Sequence, residues 1–422
     1  MRLPKLVTTL QTYSWSLFLS DLFAGITVAM VAMPLSIAIA IASGADPAKG
    51  LVTAIVGGFF ISLLGGSRVQ IGGPTGAFIV VVFSVVAKHG YDGLVLATFM
   101  AGLILLVAGW FRAGRLIAFI PEAVVNGFTI GIAIIIATSQ LKDLFGLRME
   151  ENPADFLEKV PALFAAAGTV SISAIIIALF TIVLIVVLRR LFPRFPGLII
   201  AIAAGSALAA FFGPDVATLG SQYGQLPSTL PVPAFPDFSI ARIVELAPSA
   251  FTIAFLAGVE SLLSAMVADR MIGGSHRPNA ELTAQGAANI ASSIFGGMPA
   301  TGAIARTATN VRAGGKTPIA GLVHAATILI VMMLAAPLAS YLAMPSLAAL
   351  LLLTAWNMSE PHKWAEHLRG RKSDLLLMVL TLLLTVLVDL TVAIGVGVSV
   401  GLALRLYRRS DTIKSDWTPP DR

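Results

Sequence analysis

The sequence predicts an all-α membrane protein with fourteen transmembrane segments, arranged as an inverted repeat of seven and seven. Three observations predict this fold: the apolar composition, the spacing of the apolar stretches, and a short motif that occurs once in each half. Of the 422 residues, 57% are hydrophobic and 12% are charged, and the mean hydropathy is +0.90. A soluble domain carries about 25% charged residues. A lipid bilayer is therefore the solvent that this chain fits.

Cysteine and metal-ligand patterns are missing from the sequence, which narrows the classes of function. The chain has no cysteine, so disulfides, thiol chemistry and Cys-based metal sites are excluded. The five histidines show no metal-ligand spacing, and we predict no metal, no cofactor and no enzymatic activity. The net charge of +6 does not indicate a nucleic-acid partner, because the basic residues lie in short loops between apolar stretches.

Apolar stretches separated by polar loops give the predicted membrane-spanning segments. They fall roughly at 21–43, 51–65, 75–87, 92–111, 117–141, 170–188, 197–212, 247–268, 281–295, 302–311, 317–338, 344–356, 373–390 and 391–407. With the N-terminus in the cytoplasm, lysine and arginine favour the inner loops and tails by about three to one, as the positive-inside rule requires. We therefore predict a bacterial-type inner (plasma) membrane protein with both termini in the cytoplasm.

The predicted domain organisation follows from the loop lengths. Residues 1–20 form a cytoplasmic N-terminal segment, and 408–422 form a short cytoplasmic tail. The first repeat covers 21–212 and the second covers 247–407. Between them, 213–246 is an outer linker that is rich in proline. Because each repeat holds an odd number of segments, the second repeat enters the membrane from the opposite side, and the repeat is inverted.

One motif occurs at the start of the third segment of each repeat. The first repeat has GGPTGA at 72–77, and the second has GGMPATGA at 296–303. The segments that follow are shorter than the ~20 residues that a helix needs to cross a bilayer. Irregular backbone at membrane depth is tolerated only where it is buried in protein or lines a cavity. A matched pair of interrupted segments is typical of the central site of a transporter.

The N-termini of these two half-helices, predicted segments 3 and 10, favour an anion. A helix N-terminus carries unpaired N–H groups and a partial positive charge. Two half-helices that enter from opposite faces direct both N-termini at one point near the midplane. Gly76 and Gly302 allow a ligand close to the backbone. Thr75 and Thr301 have two interpretations, since each hydroxyl either caps its half-helix or binds the ligand.

Two charged residues lie inside predicted spans, where charge is costly and usually functional. Arg306 is one turn into the second half-helix, and Glu260 is in the middle of the eighth segment. In one interpretation they form a structural ion pair. In the other, Arg306 attracts the anion and Glu260 couples transport to a proton. Ser264 shares the helical face of Glu260 and either contacts the ligand or bonds to its own helix backbone.

Five stretches of the sequence together resemble the sulfate-permease (SulP) family, whose relatives include bacterial bicarbonate and dicarboxylate transporters, animal anion exchangers and prestin. The stretches are DLFAGITVAMVAMPLSIAIAIASG, GGPTGAF, VESLLSAMVADRMIG, ELTAQGAANIASSIFGG and RTATNVRAGGKTPIAGLVHA. The resemblance covers the chain from the first segment to the fourteenth. It implies a mobile core domain of segments 1–4 and 8–11, a gate domain of segments 5–7 and 12–14, and a homodimer.

The resemblance also implies which residues bind the substrate. It places a small anion at Thr75 and Gly76, Gly302 and Ala303, Ser264, and Arg306, which matches an arginine of the animal members. Glu260 matches a position that sodium-coupled members fill with aspartate, and the change to glutamate favours a proton over sodium as coupling ion. Leu35 and Ile39 replace a polar and an aromatic residue of many relatives, and they give the pocket an apolar wall. Most members carry a STAS domain after the last span, and we expect this chain to lack it.

The function predicted from the sequence is secondary active transport of a small anion, such as sulfate, bicarbonate or a dicarboxylate such as fumarate, by elevator-like motion of the core domain. Symport with a proton and anion exchange both fit. A nucleobase–cation symporter of the same fold is one alternative, which Arg306 disfavours because a nucleobase is neutral. A passive anion channel or a sensor that does not transport is the other alternative.

Overall fold

The structure is a computed structural model that describes residues 3–114, 121–149, 153, 155–192, 196–212 and 215–415. Over these residues it consists of α-helices and one small sheet. The helices are α1 Lys5–Leu10, α2 Trp15–Ala42, α3 Pro47–Val52, α4 Gly58–Leu64, α5 Ile79–Trp110, α6 Glu122–Phe145, α7 Phe156–Ala165, α8 Ile172–Leu191, α9 Gly197–Phe212, α10 Leu219–Tyr223, α11 Ile240–Ile272, α12 Pro278–Ile294, α13 Ile304–Arg312, α14 Ile319–Ala339, α15 Met344–Met358, α16 Trp364–Arg369, α17 Lys372–Leu387 and α18 Leu390–Ser415. The strands are β1 Gly72–Gly73 and β2 Thr301–Gly302.

Seven helical stretches of the described residues are long and apolar enough to cross a membrane. They are Trp15–Ala42, Pro47–Leu64, Gly76–Trp110, Glu122–Phe145, Ile172–Leu191, Ile240–Ile272 and Ile319–Ala339. A helix rises 1.5 Å per residue, so about 20 residues span the hydrocarbon core. The predicted helical membrane protein is therefore confirmed, whereas the count of fourteen spans stays a prediction.

The predicted boundaries differ from the observed ones at several places. The first long helix begins at Trp15 instead of residue 21, where the Ser14 hydroxyl accepts a hydrogen bond from the Leu17 N–H and caps it. The predicted segments 75–87 and 92–111 run together as α5, with a break at Gly90, whose φ of 72° lies outside the helical region. The start of the predicted segment 117–141 lies partly outside the described residues, and α6 begins at Glu122.

The most extensive contacts between helices fall into two groups, and the core and gate domains implied by the family resemblance stay a prediction. In the first group, α5 packs against α11 and α12, α2 against α14, and α4 against α12. In the second, α6 packs against α15 and α17, and α8 against α9 and α15. The site described below lies where the first group faces α6 and α15.

Close backbone contact between α5 and α12 depends on glycine. A Cβ atom added to Gly102 would lie 2.8 Å from the Gly286 carbonyl oxygen, and one added to Gly286 would lie 2.8 Å from the Gly102 carbonyl oxygen. Small residues of this kind let helices approach closely in a membrane, where lipid gives no hydrophobic drive for association. The first group is therefore tightly packed around the site.

Candidate anion-binding site

The two sequence motifs that echo each other meet in the structure. Strand β1 pairs with β2 in an antiparallel register, with Gly72 opposite Gly302 and Gly73 opposite Thr301. The pairing continues as the Ala303 N–H donates to the Ile71 carbonyl over 2.9 Å. Each strand leads within a few residues into a helix, the first through the tight turn Gly76–Phe78 into α5 and the second directly into α13. The pairing of β1 with β2, which we call the crossing, therefore brings two helix N-termini to the same region.

Several backbone N–H groups at these N-termini have no protein acceptor. Among the described residues, nothing accepts a hydrogen bond from the N–H of Gly76 or Ala77 at the start of the first helix. The same holds for Ile304 and Ala305 at the start of α13. Unpaired N–H groups at a helix N-terminus carry the positive end of the helix dipole. This arrangement can bind an anion through the backbone alone.

Thr75 and Thr301 do not cap the helices. The Thr75 hydroxyl donates to Glu260 Oε2 over 2.7 Å, and no side-chain capping bond forms at the Gly76–Phe78 turn. The Thr301 hydroxyl donates to the Ala257 carbonyl over 2.9 Å. Both threonines therefore tie the strands to α11, one turn of that helix apart. As a result, the half-buried Glu260 lies beside the first N-terminus.

Arg306 is buried beside the crossing. Its side chain is 1% exposed, and Nη2 donates to Ser36 Oγ at 3.1 Å and to the Pro74 carbonyl at 3.0 Å. Its Nε and Nη1 groups have no acceptor among the described residues. No described carboxylate lies within 4.0 Å of its guanidinium, so Arg306 and Glu260 do not form a salt bridge. Arg306 thus joins α13 to Pro74 and α2, and it places a positive charge beside the paired strands without a salt bridge.

Ser264 and Gly302 lie in the packed interior next to the crossing. The Ser264 hydroxyl donates to Thr307 Oγ1 over 3.1 Å. It therefore bonds to a side chain of α13 and not to the backbone of its own helix. A Cβ atom on Gly302 would lie 1.4 Å from the side-chain nitrogen of Gln70. Gly302 is therefore required for packing against Gln70.

Leu35 and Ile39 flank Ser36, the α2 residue that contacts Arg306. Ile39 is 1% exposed, and Leu35 is partly buried against the main apolar cluster. Ile39 belongs to the main apolar cluster of the core, and Leu35 packs against that cluster. Ala303 is buried, and it accepts the Thr307 N–H bond that starts α13.

A buried polar network beside the site was missed by the sequence analysis. Glu281 is fully buried and accepts hydrogen bonds from the backbone N–H groups of Gly66 and Ser67 and from Ser261. The Asn289 amide bonds to both the N–H and the carbonyl of Ala300, the residue before β2. Glu281, Gln285 and Asn289 recur every four residues on one face of α12, and that spacing was the signal that could have revealed them.

Gly76 is covered by side chains of α15 and α6. A Cβ atom on Gly76 would lie 2.9 Å from Met358 Sδ and 3.6 Å from Ile136 Cδ1. Both side chains are apolar, and Ile136 is fully buried. The first N-terminus therefore faces an apolar surface from the second group of helices.

Comparison with known families shows to which family the chain belongs. The model of the sulfate permease family matches residues 18–381. The chain belongs to the sulfate permease family. Within this sulfate permease family, the putative sulfate transporter YvdB of Bacillus subtilis is 44% identical over 370 residues, which cover 87% of this chain and 70% of the relative. The bicarbonate transporter BicA of Picosynechococcus is 32% identical over 345 residues, covering 78% of this chain and 60% of BicA.

Solved structures share the fold of this sulfate permease family member. The transmembrane domain of a cyanobacterial bicarbonate transporter BicA superposes with a TM-score of 0.78 at 30% identity, covering 91% of this chain and 99% of that domain. The murine anion transporter Slc26a9 in its inward-facing state gives a TM-score of 0.86 at 19% identity, covering 96% of this chain and 71% of Slc26a9, which shows the fold alone. These relatives are named as transporters and not as enzymes, which agrees with the expectation from the sequence.

Proposed function

We propose that the chain is a secondary active transporter of small anions such as sulfate, bicarbonate or a dicarboxylate such as fumarate. One observation carries the proposal: two helix N-termini with unpaired N–H groups flank the β1–β2 crossing, and the buried charge of Arg306 lies beside the paired strands without a salt bridge. A positive, desolvated site of this kind favours an anion. The names of YvdB and BicA support the same class of substrate.

Each predicted site residue has a role in the proposal. The backbone at Gly76 and Ala303 approaches the anion, and Arg306 attracts it through its charge. Thr75 orients Glu260, which takes up the coupling proton in preference to sodium. Ser264 and Gly302 hold α11 and β2 in place around the anion, while Leu35 and Ile39 exclude water.

The proposed mechanism is an elevator-like movement of one helix group against the other. Segments 1–4 and 8–11 are the mobile core, and segments 5–7 and 12–14 are the gate, in a seven-plus-seven inverted repeat. The packing of α2, α4 and α5 against α11, α12 and α14 supports a core that moves as one body. In this proposal the protein is a homodimer in the inner membrane, with both termini in the cytoplasm.

Uptake into proteoliposomes tests the function. Labelled sulfate, bicarbonate and fumarate are offered with and without an inward proton gradient. Accumulation driven by the gradient is the expected result. Saturable uptake that does not depend on the proton gradient, but is stimulated by anion inside the vesicles, would instead indicate an anion exchanger. Absence of saturable uptake of every anion would contradict the proposal.

A further inference from the structure

The proposed anion site is bordered by two kinds of chemical group. On the side of α5 and α13, unpaired backbone N–H groups of residues such as Gly76, Ala77 and Ile304 offer hydrogen bonds. Beside these groups, Gly76 is bordered by Met358 Sδ and Ile136 Cδ1, at 2.9 Å and 3.6 Å from its Cβ position. We call Met358 and Ile136 the gate wall. Neither side chain has a hydrogen-bond donor that could replace water around an anion.

This arrangement matters because an anion loses water when it binds. Backbone N–H groups replace part of the hydration shell, whereas an apolar surface replaces none of it. The cost of dehydrating an ion rises with the square of its charge, so a dianion loses roughly four times as much as a monoanion of equal size. An apolar wall therefore penalises a dianion more than a monoanion.

Glu260 also disfavours a dianion. Glu260 lies next to the first N-terminus, since its Oε2 accepts the Thr75 hydroxyl at 2.7 Å. Arg306 is not within salt-bridge distance of it. While Glu260 is ionised, before it takes up its proton, its carboxylate repels a doubly charged ligand more strongly than a singly charged one. Both features favour a ligand with a single charge.

We infer that Met358 and Ile136 determine the specificity of the site, and that the gate wall makes it select singly charged oxyanions, such as nitrate or bicarbonate, over sulfate. This inference rests on the proposed function and narrows its substrate class. It assigns a role in selectivity to two residues of α15 and α6, outside the elements that supply the hydrogen-bond donors. Changing the wall should alter which anion binds without removing anion binding.

The test uses the purified full-length chain and two matched pairs of variants. Dissociation constants for nitrate, bicarbonate and sulfate are measured from the anion dependence of the unfolding temperature. Met358→Gln places an amide donor where Met358→Leu keeps an apolar side chain of similar size. Ile136→Thr and Ile136→Val form the second pair, because they differ by one hydroxyl in nearly the same volume.

We expect wild type to bind nitrate and bicarbonate more tightly than sulfate. Met358→Gln should shift the ratio of sulfate to nitrate affinity by about tenfold towards sulfate, as one hydrogen bond to a charged group does. Ile136→Thr should shift it in the same direction, and the Leu and Val variants should keep the wild-type ratio.

The outcomes separate this inference from the proposed function. A wild type that binds sulfate more tightly than nitrate overturns the inference and leaves anion transport intact. Equal ratios in Met358→Gln and Met358→Leu also overturn it. Failure of wild type to bind any of the three anions contradicts the proposed function instead. If Met358→Gln does not fold, the ranking in wild type and the Ile136 pair still decide the question.

Discussion

Arg306 is the largest fully buried side chain among the described residues, and its partners explain why it is tolerated. Two hydrogen bonds fix one end of the guanidinium to Ser36 and Pro74, while Nε and Nη1 have no acceptor. A buried cation without a salt bridge is costly unless an anion compensates it. The residue therefore has a structural role at the crossing and an electrostatic role at the proposed site.

Arg306→Ala should lower anion affinity by at least about tenfold, because it removes the buried guanidinium beside the paired strands. It should also lower stability by about 1–3 kcal/mol for the Pro74 carbonyl that loses its donor. Thermal unfolding with and without anion measures both effects. Ser36→Ala is the matched control, since it removes one partner and keeps the charge, and it should retain anion affinity. Unchanged affinity in Arg306→Ala would remove the residue from the site.

Glu260→Gln should leave anion binding in place and abolish the pH dependence of net uptake. The amide keeps the size of the side chain and can still accept the Thr75 hydrogen bond, but it cannot take up a proton. Uptake is measured in proteoliposomes over a range of external pH. Glu260→Asp is the control that keeps a titratable group and should keep a pH dependence. A pH profile in Glu260→Gln that matches wild type would exclude Glu260 as the coupling residue.

At the scale of elements, the sequence motifs marked the two segments whose strands pair, but not the contacts that those segments make. The repeated Gly-Gly and Thr-Gly-Ala motif marked the two strands of the crossing, because glycine and proline next to a short apolar segment can be recognised in the sequence. The β1–β2 register was not predictable, since it depends on two strands more than two hundred residues apart. The hydrogen-bond partners of the Thr301 and Ser264 hydroxyls could not be predicted from the sequence either, because those partners lie on other helices.

Gly302 shows the same limit. From the sequence, this glycine was expected to let a ligand approach the backbone. The structure instead places its missing side chain against Gln70, which bonds to Ser261. The sequence pattern marked a position where close approach matters, but only the fold shows that the approaching group is a side chain of the interior.

Gly302→Ala should therefore destabilise the protein by about 1–3 kcal/mol through overpacking. Gln70→Ala creates room at the same place, so the double variant should lose less stability than the sum of the two single variants. Thermal or denaturant unfolding of all four proteins forms the cycle. Additive losses would show that the methyl group does not meet Gln70.

Helix α7 contacts α5 through Lys159, which is 5% exposed and lies 4.8 Å from the centroid of the Phe83 ring. Burial, followed by the charge of Lys142, lowers the pKa of Lys159 from 10.5 to about 8. The Lys159 amine is therefore mostly protonated at neutral pH and mostly neutral above about pH 8. Because the unfolded chain holds this proton more tightly, the free energy of unfolding rises as pH increases from about 8 to 10.5.

The acylation rate of Lys159 by an amine-reactive reagent should level off above about pH 8, because only the neutral amine reacts. Mass spectrometry of peptides labelled over pH 6–11 measures the midpoint, with free N-acetyl-lysine in the same reaction as standard. Phe83→Leu removes the cation–π partner and serves as the comparison variant. A midpoint equal to that of the standard would contradict the burial of Lys159.

For the molecule as a whole, composition and the spacing of apolar stretches predicted a helical membrane protein, whereas the grouping into core and gate domains stays a prediction. The buried polar network around Glu281 was not foreseen, since its residues resemble an ordinary polar helix face until the neighbours Gly66 and Ser261 are known. Burial depends on which helices meet, and a single sequence does not state that.

The elevator proposal requires Gly76 and Met358 to separate during transport. Because the chain has no cysteine, the double variant Gly76→Cys with Met358→Cys introduces the only thiols. A short bis-methanethiosulfonate cross-linker, which attaches to each cysteine through a disulfide bond, should join them, as the Gly76 Cβ position lies 2.9 Å from Met358 Sδ. Cross-linking should stop uptake, and a reductant should restore it. The single-cysteine variants are the controls, and continued uptake by the cross-linked protein would exclude relative motion of the two helix groups.

The pairing of β1 with β2 also has a consequence for biosynthesis. Gly72 and Gly73 leave the ribosome long before Thr301 and Gly302. Until then, their backbone groups lack the strand with which they pair. In a bilayer, unpaired backbone groups are costly, and contacts between distant residues form slowly. We expect the newly inserted first half to remain immature, and open to membrane proteases and chaperones, until translation has passed residue 302.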